Sequence, residues 1–270
     1  MTQRNTGLTA ATLIASALAV ALPQTAQAQG TQAWKWEASI YGWFPSIGGS
    51  TSFPATGTGP SIDVSAEDVI DALKFTFMGS LEVKSGQWGL WTDLVYADFG
   101  ATKQGTRDFT VDHHPVSVDA KLQLDVKSWI WTLAGTYNLA TTPEYTLDAL
   151  GGVRYLDLAQ TLSWTLSADI PQLPGRTGSA DADITNWDAV VGIKGRAMLG
   201  AERKWFIPYY LDIGTGQSKF TWQVNAGVGY NFDWGAVIAT WRYLDYEFKS
   251  GHPVESVNFN GPTIGVVFRW

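Results

Sequence analysis

Ile264-Gly265-Val266-Val267-Phe268-Arg269-Trp270 sets an apolar side chain at every second position, Ile264, Val266, Phe268 and Trp270, while Gly265, Val267 and Arg269 face the other way. Side chains on a strand alternate between its two faces, so one face of this strand is apolar throughout and finishes on an aromatic ring. Lipid can cover such a face, as it covers the outward face of a transmembrane β-strand. An edge strand of a soluble sheet would alternate similarly, so the rest of the chain has to decide.

At the other end, Arg4 precedes an apolar run from Leu8 to Leu22, followed by Pro23 and the small-x-small site Ala26-Gln27-Ala28. That is the layout of a secretory signal peptide, residues 1–28, with cleavage expected after Ala28 and 29–270 as the mature domain. The run is short of the roughly 20 residues of a spanning helix, and no later stretch is longer, so a membrane protein of this sequence must cross with strands. The chain has 14 Trp, 10 Tyr, 12 Phe and 28 Gly, 16% charged residues and no Cys. An exported chain without Cys has no disulfide framework and no thiol chemistry, so strand pairing and burial must hold it together. Its formal net charge of -7 excludes nucleic acid as an expected partner.

Period-two alternation divides 29–270 into about ten strands, within a range of about 8 to 12. They cover 33–44, 73–84, 88–99, 116–139, 144–164, 184–199, 205–214, 219–232, 235–248 and 260–270. The eighth is the clearest, with Phe220, Trp222, Val224, Ala226, Val228, Tyr230 and Phe232 opposed to Thr221, Gln223, Asn225, Gly227, Gly229 and Asn231. Connections after the second, fourth, sixth and eighth strands are short and those after the first, third, fifth and ninth are long; the one after the seventh, around Thr215 to Ser218, is a short exception. This is the alternation of periplasmic turns with external loops in a transmembrane antiparallel up-and-down β-barrel, an all-β fold. The fourth and fifth strands are too long for the bilayer and should project from it. Trp34, Trp36, Trp88, Trp205, Trp234 and Trp270 fall at strand ends beside short turns or termini, as membrane-interface rings should. Phe44, Tyr96, Trp187, Phe220 and Tyr243 would form the external belt.

The blocks WKWEASIYGWFP (34–45), VSAEDVIDALKFTFMGSLEVKSGQWGLWTDLVYADF (64–99), GVRYLDL (152–158) and GVGYNFDWGAVIATWRYLDYEF (227–248) resemble a largely uncharacterised family of proteobacterial outer-membrane β-barrel proteins. The resemblance implies an outer-membrane barrel and transfers no catalytic residue; the terminal Trp270 departs from the more usual Phe. Location and resemblance together imply three partners: outer-membrane lipid, lipopolysaccharide at the external rim, and the barrel-assembly machinery acting on the C-terminal strand. A monomer is expected.

If the apolar set faces lipid, the opposite set faces the lumen, and it carries both signs of charge. Lys35, Lys74, Arg154, Lys194, Arg196, Arg242 and Arg269 would share it with Glu37, Glu82, Asp93, Asp148, Asp188 and Asp212. So many charges in a narrow barrel should pair, because an unpaired buried charge costs several kcal/mol. Ten strands enclose little more than side chains can fill, which disfavours a wide porin. A narrow or gated path for small polar solutes and a structural surface barrel both remain. In the first long loop, Ser65 reads as an N-cap before Glu67 and Asp68, with Val69, Ile70 and Leu73 as the stripe of a short helix that could cover the lumen or lie at the rim. The alternative is a surface enzyme. Asp112-His113-His114 and Asp181-Ala182-Asp183 resemble the Asp-His and Asp-Asp pairs of the omptin surface proteases, in reversed order. Adjacent histidines on a strand point to opposite faces, so these and His252 make a poor metal set. No catalytic residue, metal site or cofactor is assigned.

Overall fold

The alternating segments form strands β1 (Lys35–Trp43), β2 (Ser46–Thr51), β3 (Ser61–Val64), β4 (Leu73–Ser85), β5 (Trp88–Val111), β6 (His114–Thr141) and β7 (Tyr145–Ala168). After these come β8 (Arg176–Leu199), β9 (Trp205–Gly216), β10 (Ser218–Phe232), β11 (Gly235–Phe248) and β12 (Val254–Arg269), and helix α1 (Ala66–Ala72) precedes β4. The computed structural model describes residues 33–51, 61–111, 114–168, 176–250 and 254–270. The expected signal peptide lies outside the described residues. Among the described residues no helix is long and apolar enough to cross a membrane.

Every neighbouring pair is antiparallel, and the order β1-β4-β5-β6-β7-β8-β9-β10-β11-β12 returns to β1 to close a ten-stranded barrel. Closure runs from Glu37↔Arg269 to Trp43↔Thr263. Below it, Trp36 and Trp270 exchange both backbone bonds, at 2.8 and 3.1 Å. Closing the ring leaves no sheet edge in the wall, the condition for strands in hydrocarbon. The first strand breaks at Phe44-Pro45, because proline offers no N–H and holds the preceding residue extended. β2 then resumes along the outer part of β12 and β3 folds back on β2, one strand beyond the ten-stranded ring. Gly86, with φ 63, makes the tight turn between β4 and β5.

The outer wall is apolar: Phe75, Phe77, Leu90, Val191, Leu211, Ile213, Val228, Trp241 and Ile264 are all exposed on it. Rings gather at two heights. One rim joins Trp88 to Tyr137, Trp205 to Tyr230 and Phe232 to Trp234 to Phe268. The other joins Phe75 to Tyr96 to Trp129, Tyr155 to Trp187, and Trp222 to Tyr243. From rim to rim, both ends included, the wall spans nine residues on β5, Trp88 to Tyr96, and nine on β6, Trp129 to Tyr137. A tilted transmembrane strand needs about 9–11.

Above the second rim the polarity of the wall inverts. On β11 the outward positions run Val237, Ala239, Trp241 and then Tyr243, Asp245, Glu247, while the inward ones run Thr240, Arg242 and then Leu244, Tyr246, Phe248. On β7 Val153 and Tyr155 give way outside to Asp157, while Arg154 gives way inside to Leu156 and Leu158. Below the inversion the outside is solvated by hydrocarbon; above it the outside is water, and the apolar side chains turn inward. An interior of charge alone does not result: eleven buried residues, among them Trp43, Met78, Ile130, Leu156, Leu244 and Tyr246, form an apolar cluster inside the external half.

The expected long loops after the third and fifth strands are instead ladders. β5 and β6 pair without interruption from Trp88↔Tyr137 to Val111↔His114, and β7 and β8 from Tyr145↔Ala197 to Leu166↔Arg176. Pairing satisfies backbone groups that a loop of that length would leave to water. From Ala97 to Val111 the hairpin rises about 50 Å along the strand. Helix α1 forms with Ser65 as N-cap, its Oγ accepting from the Asp68 N–H at 3.1 Å. It lies against β2 and β5 with Glu67, Asp68, Ile70 and Asp71 exposed, so the lumen is filled from the barrel walls.

Candidate functional site in the barrel lumen

Inward side chains meet across the barrel in successive layers. At the periplasmic mouth Arg269 Nε donates to Glu37 Oε2 at 2.6 Å, and Arg196 Nη1 lies 3.5 Å from the same oxygen. β1 and β8 stand on opposite sides of the ring, with four strands between them in either direction, so this pair spans the lumen. Arg269 also donates to Asn231 Oδ1 at 3.1 Å and sits over the Phe206 ring. Lys35 is exposed at this mouth.

One layer inward, Lys194 Nζ is 3.0 Å from Glu82 Oε2, again across the barrel from β8 to β4. Lys84 bridges Glu82 and Asp148, and Asn138 Nδ2 donates to Asp148 Oδ1 at 2.8 Å. The Lys194 ammonium lies 5.0 Å from the centre of the Trp91 ring, which itself meets Tyr210 across the lumen at 5.1 Å.

Two arginine–carboxylate pairs occupy the middle. Arg154, with no exposed surface, donates to Asp212 and, at 3.2 Å, to Thr132 Oγ1; Tyr210 donates to the same Asp212 oxygen. Arg242 Nη2 donates to Asp93 Oδ2 at 3.0 Å and to Gln223 Oε1 at 2.8 Å, and its Nη1 to Tyr41 Oη at 2.9 Å. Tyr41 Oη in turn donates a hydrogen bond to Asp93 Oδ1 at 2.6 Å, and the guanidinium lies 4.6 Å over Trp43. β5 and β11, which carry Asp93 and Arg242, face each other across the ring. Each guanidinium thus has a carboxylate and at least one further acceptor, the condition under which charge tolerates burial, while Arg154 Nη1 and Asp212 Oδ1 have no hydrogen-bond partner among the described residues. Above them begins the apolar cluster. Asp188, in register with Arg154 on the neighbouring strand, accepts from Ser218 N at 3.0 Å, Ser218 Oγ at 2.7 Å and Asn186 Nδ2 at 2.5 Å, which ties the β9–β10 turn to β8.

The charged residues singled out in the sequence therefore converge, Lys35 and Lys74 excepted: Lys35 stands at the mouth, and the Lys74 side chain is outside the described residues. Lys84, Tyr41, Tyr210, Gln223 and Asn138 complete the network and were missed. Tyr41 shares the inward parity of Glu37, Lys84 that of Glu82, and Tyr210 that of Asp212, so the period of two already pointed to them. The six interface tryptophans are all exposed, from 38% at Trp36 to 69% at Trp88. Asp112, His113 and His252 lie outside the described residues, as do the side chains of His114 and Asp181, and Asp183 is exposed on β8.

No protein-family model matches the chain, and no curated protein matches it in sequence. Among solved structures it is similar to the outer membrane protease OmpT from Escherichia coli, with 10% identity, TM-score 0.45, and coverage of 92% of this chain and 100% of that one. It is also similar to the translocator domain of the autotransporter NalP from Neisseria meningitidis, with 14% identity, TM-score 0.36, and 90% of each chain covered. Ail, the attachment invasion locus protein of Yersinia pestis, follows with 12% identity, TM-score 0.31, and coverage of 88% of this chain and 98% of that one. Nothing about this chain's activity follows from these likenesses. The closed ring, the lipid-type outer wall and the two aromatic rims define the class by themselves: a transmembrane β-barrel of the outer-membrane type.

Proposed function

We propose that this chain is an integral outer-membrane protein that works as a structural, surface-presenting barrel, holding its tall external hairpins out for interaction, and not as an open pore. One observation carries this reading. Side chains cross the lumen at the Glu37–Arg196, Glu82–Lys194 and Asp93–Arg242 levels and are roofed by the apolar cluster. A solute path through this interior requires two buried ion pairs to part and the Trp43–Leu244–Tyr246 layer to move, whereas open aqueous channels come with about 16 or more strands. Lipopolysaccharide around the external rim, delivery by the barrel-assembly machinery through β12, and a monomeric state belong to the same proposal. The test is planar-bilayer recording on refolded mature protein. Silence of the folded barrel is expected, and reproducible unit conductance steps would overturn the reading in favour of a channel.

A further inference from the structure

Between β10 and the break separating β1 from β2, the outer wall is hollow. In register, Ala226 faces Trp241 and Trp241 faces Pro262; one row toward the periplasm, Val228, Ala239 and Ile264 stand side by side. The small Ala226 and Ala239 thus lie diagonally among Trp241 and Ile264, which project with 56% and 57% of their surface exposed. The resulting cavity has a volume of about 520 Å³, and Phe44 and Pro262 close its far side. That is within the roughly 300–1,000 Å³ of small-molecule sites.

The hollow has a structural cause. Pro45 and Pro262 stand at nearly the same height in the seam where the first strand meets the last, and neither has an N–H. Phe44 N donates to Pro262 O at 3.0 Å, a bond that Pro262 cannot return. The Phe44 ring folds down over Gly42, where a Cβ would stand only 2.9 Å from it. Opposite, Trp241 Nε1 donates to Asn260 Oδ1 at 2.7 Å, which holds the indole upright as the other wall. Among the described residues no charged side chain lines the cavity. It opens sideways into the apolar band, just below the external boundary marked by Tyr243 and Asp245.

We propose that this hollow seats one acyl chain of an external-leaflet lipid, a proposal that rests on the outer-membrane reading above. An apolar, uncharged cavity open only to hydrocarbon selects a hydrocarbon guest, and walls held by backbone breaks and an indole hydrogen bond exist before the guest arrives.

The test uses the refolded mature barrel in phosphatidylcholine vesicles doped with a phospholipid that carries a diazirine on one acyl chain, with adducts mapped by peptide mass spectrometry after photolysis. Several-fold more adduct is expected on 226–241 and 262–264 than on the equally lipid-exposed Phe75–Leu81 face of β4. Ala239→Phe, which fills the hollow, and Trp241→Ala, which removes a wall, should each abolish the excess and leave β4 labelling unchanged. Even labelling of the wall, or an excess that survives Ala239→Phe, overturns the site while leaving the membrane barrel intact. Absence of adduct anywhere on the wall overturns both.

Discussion

Replacing Asp212 by Asn removes one charge from the centre of the lumen and almost no volume. Arg154, with no exposed surface, would keep its cation with Thr132 Oγ1 and neutral groups as its acceptors. Breaking one side of a buried ion pair costs about 3–5 kcal/mol, because the remaining charge stays desolvated. Spread over a urea dependence of about 2–3 kcal/mol per molar, this lowers the unfolding midpoint by roughly 1–2.5 M. The assay is urea titration of the barrel in lipid vesicles, followed by tryptophan fluorescence. The companion variant Arg154→Met/Asp212→Leu removes both charges and should return to within about 1 kcal/mol of the parent or exceed it, as buried pairs replaced by apolar groups often do. The two single variants and the double variant close a cycle whose coupling isolates the pair. If Asp212→Asn costs less than about 1 kcal/mol, the range of solvent-exposed pairs, the lumen at this level is wet and the sealed-barrel reasoning fails.

Leu211→Arg, at an exposed site in the middle of the outer wall, should cost about 2–4 kcal/mol in lipid vesicles; a neutral result would mean that hydrocarbon does not solvate this face. Gly229→Val places a side chain where even a Cβ would stand only 2.2 Å from the buried Phe206 ring, so a loss of about 1–3 kcal/mol is expected in the same titration. Ser65→Ala removes the cap of α1 at a local cost of about 1 kcal/mol. Hydrogen exchange should quicken at Asp68 to Asp71 while the urea midpoint stays put, and a shifted midpoint would show that α1 braces the barrel.

The strands were legible because a pleated ribbon with two different solvents on its faces can be read from a period of two alone. The same holds for the tryptophan rims, the Ser65 cap and the count of about ten strands. The external half was misread for an identifiable reason. On β11 the alternation continues without a break through Tyr243-Leu244-Asp245-Tyr246, but its sense reverses where the wall passes from lipid into water. A reading that assigns every apolar residue outward therefore missed Leu244, Tyr246 and Phe248 as core. The projection of the fourth and fifth strands was read correctly, but their partner arms in the long hairpins were missed, because polar, Thr-rich segments such as 100–111 look like loop until a partner strand is found for their backbone.

By itself, then, the order of residues determined that this chain makes a closed, lipid-faced sheet with charge inside, since face alternation is a property of each strand alone. Which charge meets which was decided by the tertiary structure. Arg242 finds Asp93 from 149 residues away, and Arg196 reaches Glu37 from 159. Strand number, tilt and register set those distances, and they take values only once the ring has closed.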